Sequence, residues 1–125
     1  MVKKERRRFQ RASIRYKINI ICEGSVMIGE PKDYTFRTYT ENIGQGGIKV
    51  VLEKQLRPAS LVKLELFITA KVPLKCKGLI IWNKKINPKG TKPDLFDTGI
   101  QFIDLHYSDQ TVIGTMVESF LSKSQ

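Results

Sequence analysis

The segment Glu5-Arg6-Arg7-Arg8-Phe9-Gln10-Arg11 concentrates guanidinium groups immediately before the first alternating apolar run. Arginine's planar fork pairs bidentately with phosphate and its flat face stacks on a purine, whereas lysine neutralises charge without reading shape. The segment is therefore a candidate anion site, to be weighed against a solvated basic tail, because blocks of like charge repel and stay open. A second cluster, Asn42-Ile43-Gly44-Gln45-Gly46-Gly47, is a glycine-rich connection between two strand-like runs. Such turns admit backbone conformations and close approaches that a Cβ would block, and their N–H groups can form an anion-binding nest. The chemistry these two clusters offer is binding.

Catalysis finds little support. His106 is the one histidine, with no Ser, Cys or metal-ligand company in a recognised spacing, and the acidic residues are scattered. A GxxxxGK(S/T) run, the usual mark of nucleotide hydrolysis, is missing. Cys22 and Cys76 each fall in an apolar run with no CxxC or His/Cys cluster, so they read as buried free thiols. A disulfide between them is the alternative. With no secretory segment and no run of membrane-spanning length, the expectation is a soluble cytoplasmic protein without membrane insertion.

A chain of 125 residues makes one domain, and a formal charge of +10 selects anionic partners: nucleic acid, nucleotides, acidic protein surfaces or lipid headgroups. Tyr16, Ile18, Ile20 and Cys22 alternate with polar neighbours as one face of a strand. Strands also read from Asp33 to Ile43, from Gly46 to Glu53, from Leu61 to Ile68, from Leu74 to Trp82 and from Leu95 to Leu105. The Leu74–Trp82 run places Trp82 on the face of Ile80 and is apolar on both faces near its end, which predicts cover on both sides. Asn83 to Asp94, with Lys84, Lys85, Lys89 and Lys92, reads as an exposed, mobile hairpin loop. Ser108 is the expected cap of a helix over about 108–122, with Val112, Met116 and Phe120 beside Ile113, Val117 and Leu121 as its core stripe. Short strands, frequent turns and one terminal helix predict a small all-β antiparallel barrel or sandwich with a helix packed on one end.

The order of the two clusters, an Arg arm before the first strand and an Asn-x-Gly-x-Gly-Gly turn between the second and third, resembles a PilZ domain. That family carries an RxxxR arm and a later (D/N)xSxxG turn. Arg7 and Arg11 match the first, and Asn42 and Gly47 the ends of the second, while Gly44 stands where the family has Ser. The strand ending in Trp82, the Gly99-Ile100-Gln101-Phe102 strand and the terminal helix extend the resemblance over nearly the whole chain.

The resemblance implies a six-stranded antiparallel barrel with a C-terminal α-helix, over residues 16–125, behind a flexible basic arm, residues 1–15. It also implies a ligand, the bacterial second messenger cyclic di-GMP, and no cofactor. Guanine presents O6 and N7 acceptors, so guanidinium forks can pair with its edges and with the phosphates. On this reading Arg7 and Arg11 are the principal clamps, Arg6 adds a third guanidinium and Asn42 offers an amide to a guanine edge. Gly44 and Gly47 shape the turn, and Arg8, Gly46 and Trp82 are secondary. The hydroxyl missing at Gly44 is worth roughly 0.5–1.5 kcal/mol of hydrogen bonding, so Gly44→Ser is expected to tighten binding. As a lone domain the chain would signal in trans to a protein effector that the sequence does not identify. The alternative is a PilZ adaptor that has lost the ligand. A nucleic-acid-binding barrel ranks last, because Tyr34 and Phe36 share one face and Tyr39 the other, leaving no continuous stacking platform.

Overall fold

The structure, a computed structural model, describes residues 10–123. The strands are β1 (Arg11–Ala12), β2 (Lys17–Cys22), β3 (Tyr34–Gly44), β4 (Gly47–Leu52), β5 (Leu61–Phe67), β6 (Leu74–Lys85) and β7 (Phe96–Phe102), followed by helix α1 (Tyr107–Lys123). β2 to β7 run antiparallel in the spatial order β3-β2-β5-β6-β7-β4, and β4 pairs back with β3 to close a six-stranded barrel. Closure leaves none of these six strands as a free edge. β1 is an addition, laid beside the far end of β3.

The alternation in the sequence accounts for the core. Ile18, Ile20 and Cys22 of β2 point inward, as do Ile48, Val50 and Leu52 of β4 and Val62, Leu64 and Leu66 of β5. Ile80, Ile100 and Phe102 close the other side. Gly78 belongs to this interior, since a Cβ there would come within 2.6 Å of Ile100 Cγ2 and 2.9 Å of Leu64 Cδ1. Cys22 and Cys76 are both free, the first buried and the second half-buried.

Several expectations change. β6 runs on past Trp82 to Lys85, and its register shifts between Ile80 and Trp82, one residue too many on β6 for its partner β7. The bulge breaks the period-two pattern, so Trp82 leaves the inner face and stands outside, 42% exposed. Ile81 is exposed as well, so the expected cover over both faces of this end is not found among the described residues.

The loop beyond β6 is exposed, as its lysines predict, and Asn87 organises it. Asn87 Nδ2 donates to the carbonyls of Thr91 (3.2 Å) and Pro93 (2.7 Å), and Asn87 Oδ1 accepts from Leu95 N–H at 3.0 Å. Lys85 Nζ adds a bond to the Asn87 carbonyl at 3.0 Å.

In α1 the buried residues are Ile113 and Val117, while Val112, Met116 and Phe120 lie largely outside, so the core stripe is narrower than the sequence predicts. The helix packs against β1 and β3. Its cap is His106, not Ser108: Nδ1 of His106 accepts from the Ser108 N–H at 3.1 Å, and its carbonyl accepts from Gln110 N–H at 2.9 Å. Among the described residues no helix is long and apolar enough to cross a membrane.

Candidate functional site

The base of the arm is fixed on the glycine-rich end of β3. Arg11 pairs with Gly44 and Ala12 with Ile43. Ala12 is 2% exposed, a small side chain pressed into the core that anchors the segment. Arg11 Nε then donates to Asn42 Oδ1 at 2.9 Å, joining the end of one sequence motif to the start of the other. Gly44 makes this possible, since a Cβ there would stand 2.6 Å from the Gln10 carbonyl oxygen and 3.1 Å from Arg11 Cγ. The position that the sequence marks as a missing hydroxyl is thus occupied by the backbone of the arm itself. Arg6, Arg7 and Arg8 lie outside the described residues.

Asn42 also begins a row across the barrel's outer surface. A bulge between Thr40 and Asn42 breaks the alternation of β3, keeping Thr40 buried inside while Asn42 stands outside. Asn42 lies opposite Lys49 of β4, Lys49 opposite Gly99 of β7, and Gly99 opposite Trp82 of β6. Strands spaced 4.7–4.9 Å apart make this row about 14 Å from end to end. Trp82 lies over Gly99: a Cβ at residue 99 would collide with the indole nitrogen and stand 2.5 Å from Cε2. The row thus offers a guanidinium and an amide at one end, an ammonium in the middle, and a ring face on a glycine shelf at the other.

Lys49 and Gly99 were not marked by the sequence as site residues. Lys49 is two residues beyond Gly47 in a period-two strand, so its outward direction was readable. Its place between Asn42 and Trp82 depends on the pairing of four strands and was not. Lys49 Nζ sits 3.6 Å from Asp97 Oδ2, with the two side chains 32% and 22% exposed.

The turn residues act from beneath. Gly47 is buried, and a Cβ there would collide with the Ile100 carbonyl of β7, while the Gly46 carbonyl accepts from Phe102 N–H at 2.9 Å. These contacts fix the turn's backbone against β7. Gln45 reaches the other way: its Nε2 donates to the Gln110 carbonyl of α1 at 3.0 Å, and its amide fills the notch left by Gly114. A cleft of about 310 Å³ runs along this seam, lined by Gln10 and Gln45 on one side and Thr111, Gly114 and Glu118 on the other.

The thiols take no part in this surface. Burial pushes Cys22 up to about 11, and burial with the nearby charges of Asp104 and Asp109 pushes Cys76 up to about 12. Among the described residues there is no group of three or more His, Cys, Asp or Glu side chains placed to hold a metal ion.

The fold is similar to that of several solved structures. The chain superposes on the Bacillus subtilis inhibitor of motility MotI/DgrA with a TM-score of 0.76 and 16% identity, over 98% of this chain and 54% of that one. For the complex of K. pneumonia MrkH with c-di-GMP the values are 0.69 and 16%, over 97% and 55%. The PilZ domain of Escherichia coli YcgR, solved with c-di-GMP, gives 0.65 and 14%, over 96% and 95%. The chain therefore spans about half the length of MotI/DgrA and MrkH, and at these identities the likeness establishes the fold. No curated protein sequence matches it. The PilZ domain family model matches residues 5–119, nearly the whole sequence, and the chain belongs to the PilZ domain family.

Proposed function

We propose that this chain is a receptor for cyclic di-GMP that binds its ligand on the outer row beside the arm and passes the signal to a partner protein. The observation that carries this reading is the hydrogen bond between Arg11 and Asn42, which joins the last arginine of the RxxxR motif to the first residue of the NxGxxG turn. MrkH and the YcgR PilZ domain, which share the fold, were solved with c-di-GMP.

The residues suit the ligand chemically. Arg11, with Arg7 and Arg6 upstream, supplies forks that match guanine O6 and N7 and the phosphate oxygens. Asn42 accepts from Arg11 through Oδ1, so the group it has to offer a guanine edge is its NH2 donor. Trp82 offers a ring face for the second base. Gln45 ties the same turn to α1, so a ligand that draws on the turn also bears on the helix, whose exposed Val112 and Met116 are candidate contacts for the partner. A receptor for an internal messenger works in the cytoplasm.

The test is isothermal titration calorimetry of the chain with cyclic di-GMP, beside GTP and a short single-stranded DNA, at two salt concentrations. Saturable binding of cyclic di-GMP alone is expected. Binding of any oligonucleotide with a steep salt dependence would assign the surface to nucleic acid. No heat with any of them, from a folded chain, would leave a PilZ adaptor that works without the messenger.

A further inference from the structure

Lys49 stands at the centre of the outer row, with base-recognising groups on both sides: Arg11 and Asn42 toward β3, Gly99 and Trp82 toward β7 and β6. A cyclic dinucleotide has its two bases projecting from a macrocycle that holds the phosphates between them. A surface that takes bases at its two ends therefore presents its middle to a phosphate. An ammonium is a compact point charge suited to that anion.

We propose that Lys49 is a phosphate-binding residue of this site, held in the empty protein by Asp97 and released to the ligand. The inference rests on the cyclic di-GMP reading above. Asp97 lies on the same outer face of β7, two residues from Gly99 and diagonal to Lys49, and the two charges are 3.6 Å apart. The pair is partly open to solvent, and at 3.6 Å it is longer than a direct hydrogen bond, so an incoming phosphate can take the lysine from it. Asp97 is not stranded by the exchange, because Lys84 of β6 stands directly opposite it. The carboxylate competes with an anionic ligand, since it holds the lysine that the phosphate would take and carries a charge of the same sign.

This arrangement predicts effects of opposite sign from the two halves of one ion pair. In calorimetric titrations of the full chain with cyclic di-GMP, Lys49→Met is expected to weaken binding about tenfold or more and to flatten its salt dependence by about one counterion. Asp97→Asn is expected to tighten binding about threefold or more. Thermal melting of both variants checks that the barrel is intact. A purely structural pair would give weakening in both variants or no change in either, and either result overturns the assignment while leaving the receptor reading in place. A parent chain that does not bind cyclic di-GMP overturns both.

Discussion

Arg11 and Asn42, 31 residues apart in sequence, meet through a 2.9 Å hydrogen bond from the guanidinium Nε to the amide Oδ1. The bond is part-buried and rests on a strand pair of two residues, Arg11 with Gly44 and Ala12 with Ile43. Ala12 supplies the burial and Arg11 the polar contact, so the segment is held by its apolar residue and oriented by its charged one.

Arg11→Ala and Asn42→Ala are expected to weaken cyclic di-GMP binding strongly while leaving the fold in place. A hydrogen bond to a charged group is worth about 1.5–3 kcal/mol, which corresponds to roughly 10–100-fold in affinity. Calorimetry gives the affinity and thermal melting the stability. Binding equal to the parent's in both variants would remove the outer row as the site.

Gly44→Ser is expected to weaken binding, the reverse of what the family pattern suggests on sequence alone. The added Cβ would face the Gln10 carbonyl at 2.6 Å, a backbone atom that moves only if β1 moves. Displacing β1 carries Arg11 away from Asn42. Hydrogen exchange at Ala12 should accelerate together with the loss of affinity. A tighter complex with unchanged protection would show that the arm accommodates the side chain in place.

The fold was legible because period-two alternation carries most of the information about a barrel. Ile18, Ile20 and Cys22, and likewise Val62, Leu64 and Leu66, announce both the strand and its buried face. The candidate row was legible at one end, Arg11 and Asn42, because glycine clusters and arginine runs are local signals. Its middle was not, and Trp82 at the far end was legible as a residue but not in the direction it faces. One extra residue near Ile81 turns Trp82 from the inside to the outside, and another near Glu41 does the same for Asn42; bulges leave no mark in an apolar pattern. Lys49 looks like any solvated lysine until four strands are laid side by side. The helix stripe was misjudged because α1 rests on the side of the barrel at β1 and β3, where two turns of Ile113 and Val117 suffice.

Trp82 provides a direct optical test, since it is the chain's one tryptophan and is 42% exposed over Gly99. Cyclic di-GMP should quench its fluorescence saturably, with a midpoint matching calorimetry. Trp82→Ala should cost about 1–3 kcal/mol of binding, the worth of stacking one base on an aromatic ring, and little stability. Gly99→Ala should act in the same direction by driving the indole off its shelf. Unchanged fluorescence at saturation would place the second base elsewhere.

The thiols predict the alkaline behaviour. Cys22 is pushed up to about 11 and Cys76 to about 12 from an ordinary value of 9.0, mainly by burial. Folding therefore favours the protonated thiols. Their contribution is fully present below about pH 9 and is lost as pH rises through 11 to 12. A thiol reagent at pH 8 should label the native chain at least about tenfold more slowly than the urea-unfolded chain, because the thiolate is the reactive form. The melting temperature should fall above pH 9, and fall less steeply in Cys76→Ala. Equal labelling rates in the two states would mean that the barrel opens readily around these positions.

Gly114 and Gln45 should behave as one unit. Glycine inside a helix ordinarily costs about 1 kcal/mol relative to alanine, so Gly114→Ala ought to stabilise α1. Here the new Cβ would collide with the end of the Gln45 side chain, 2.8 Å from its Cδ, and dislodge the amide that donates to the Gln110 carbonyl. That side chain can swing aside, so the helix stays docked and the gain in propensity is offset by a lost hydrogen bond of about 1 kcal/mol. Gly114→Ala in the parent is therefore expected to be nearly neutral, whereas in a Gln45→Ala background the same change should stabilise by about 1 kcal/mol. Denaturant melts of the four proteins give the coupling directly. Additive changes would mean that Gln45 does not occupy the notch in solution. A coupling near 1 kcal/mol would establish that the glycine-rich turn and the helix are joined through the Gln45 side chain, whose Nε2 donates to the Gln110 carbonyl.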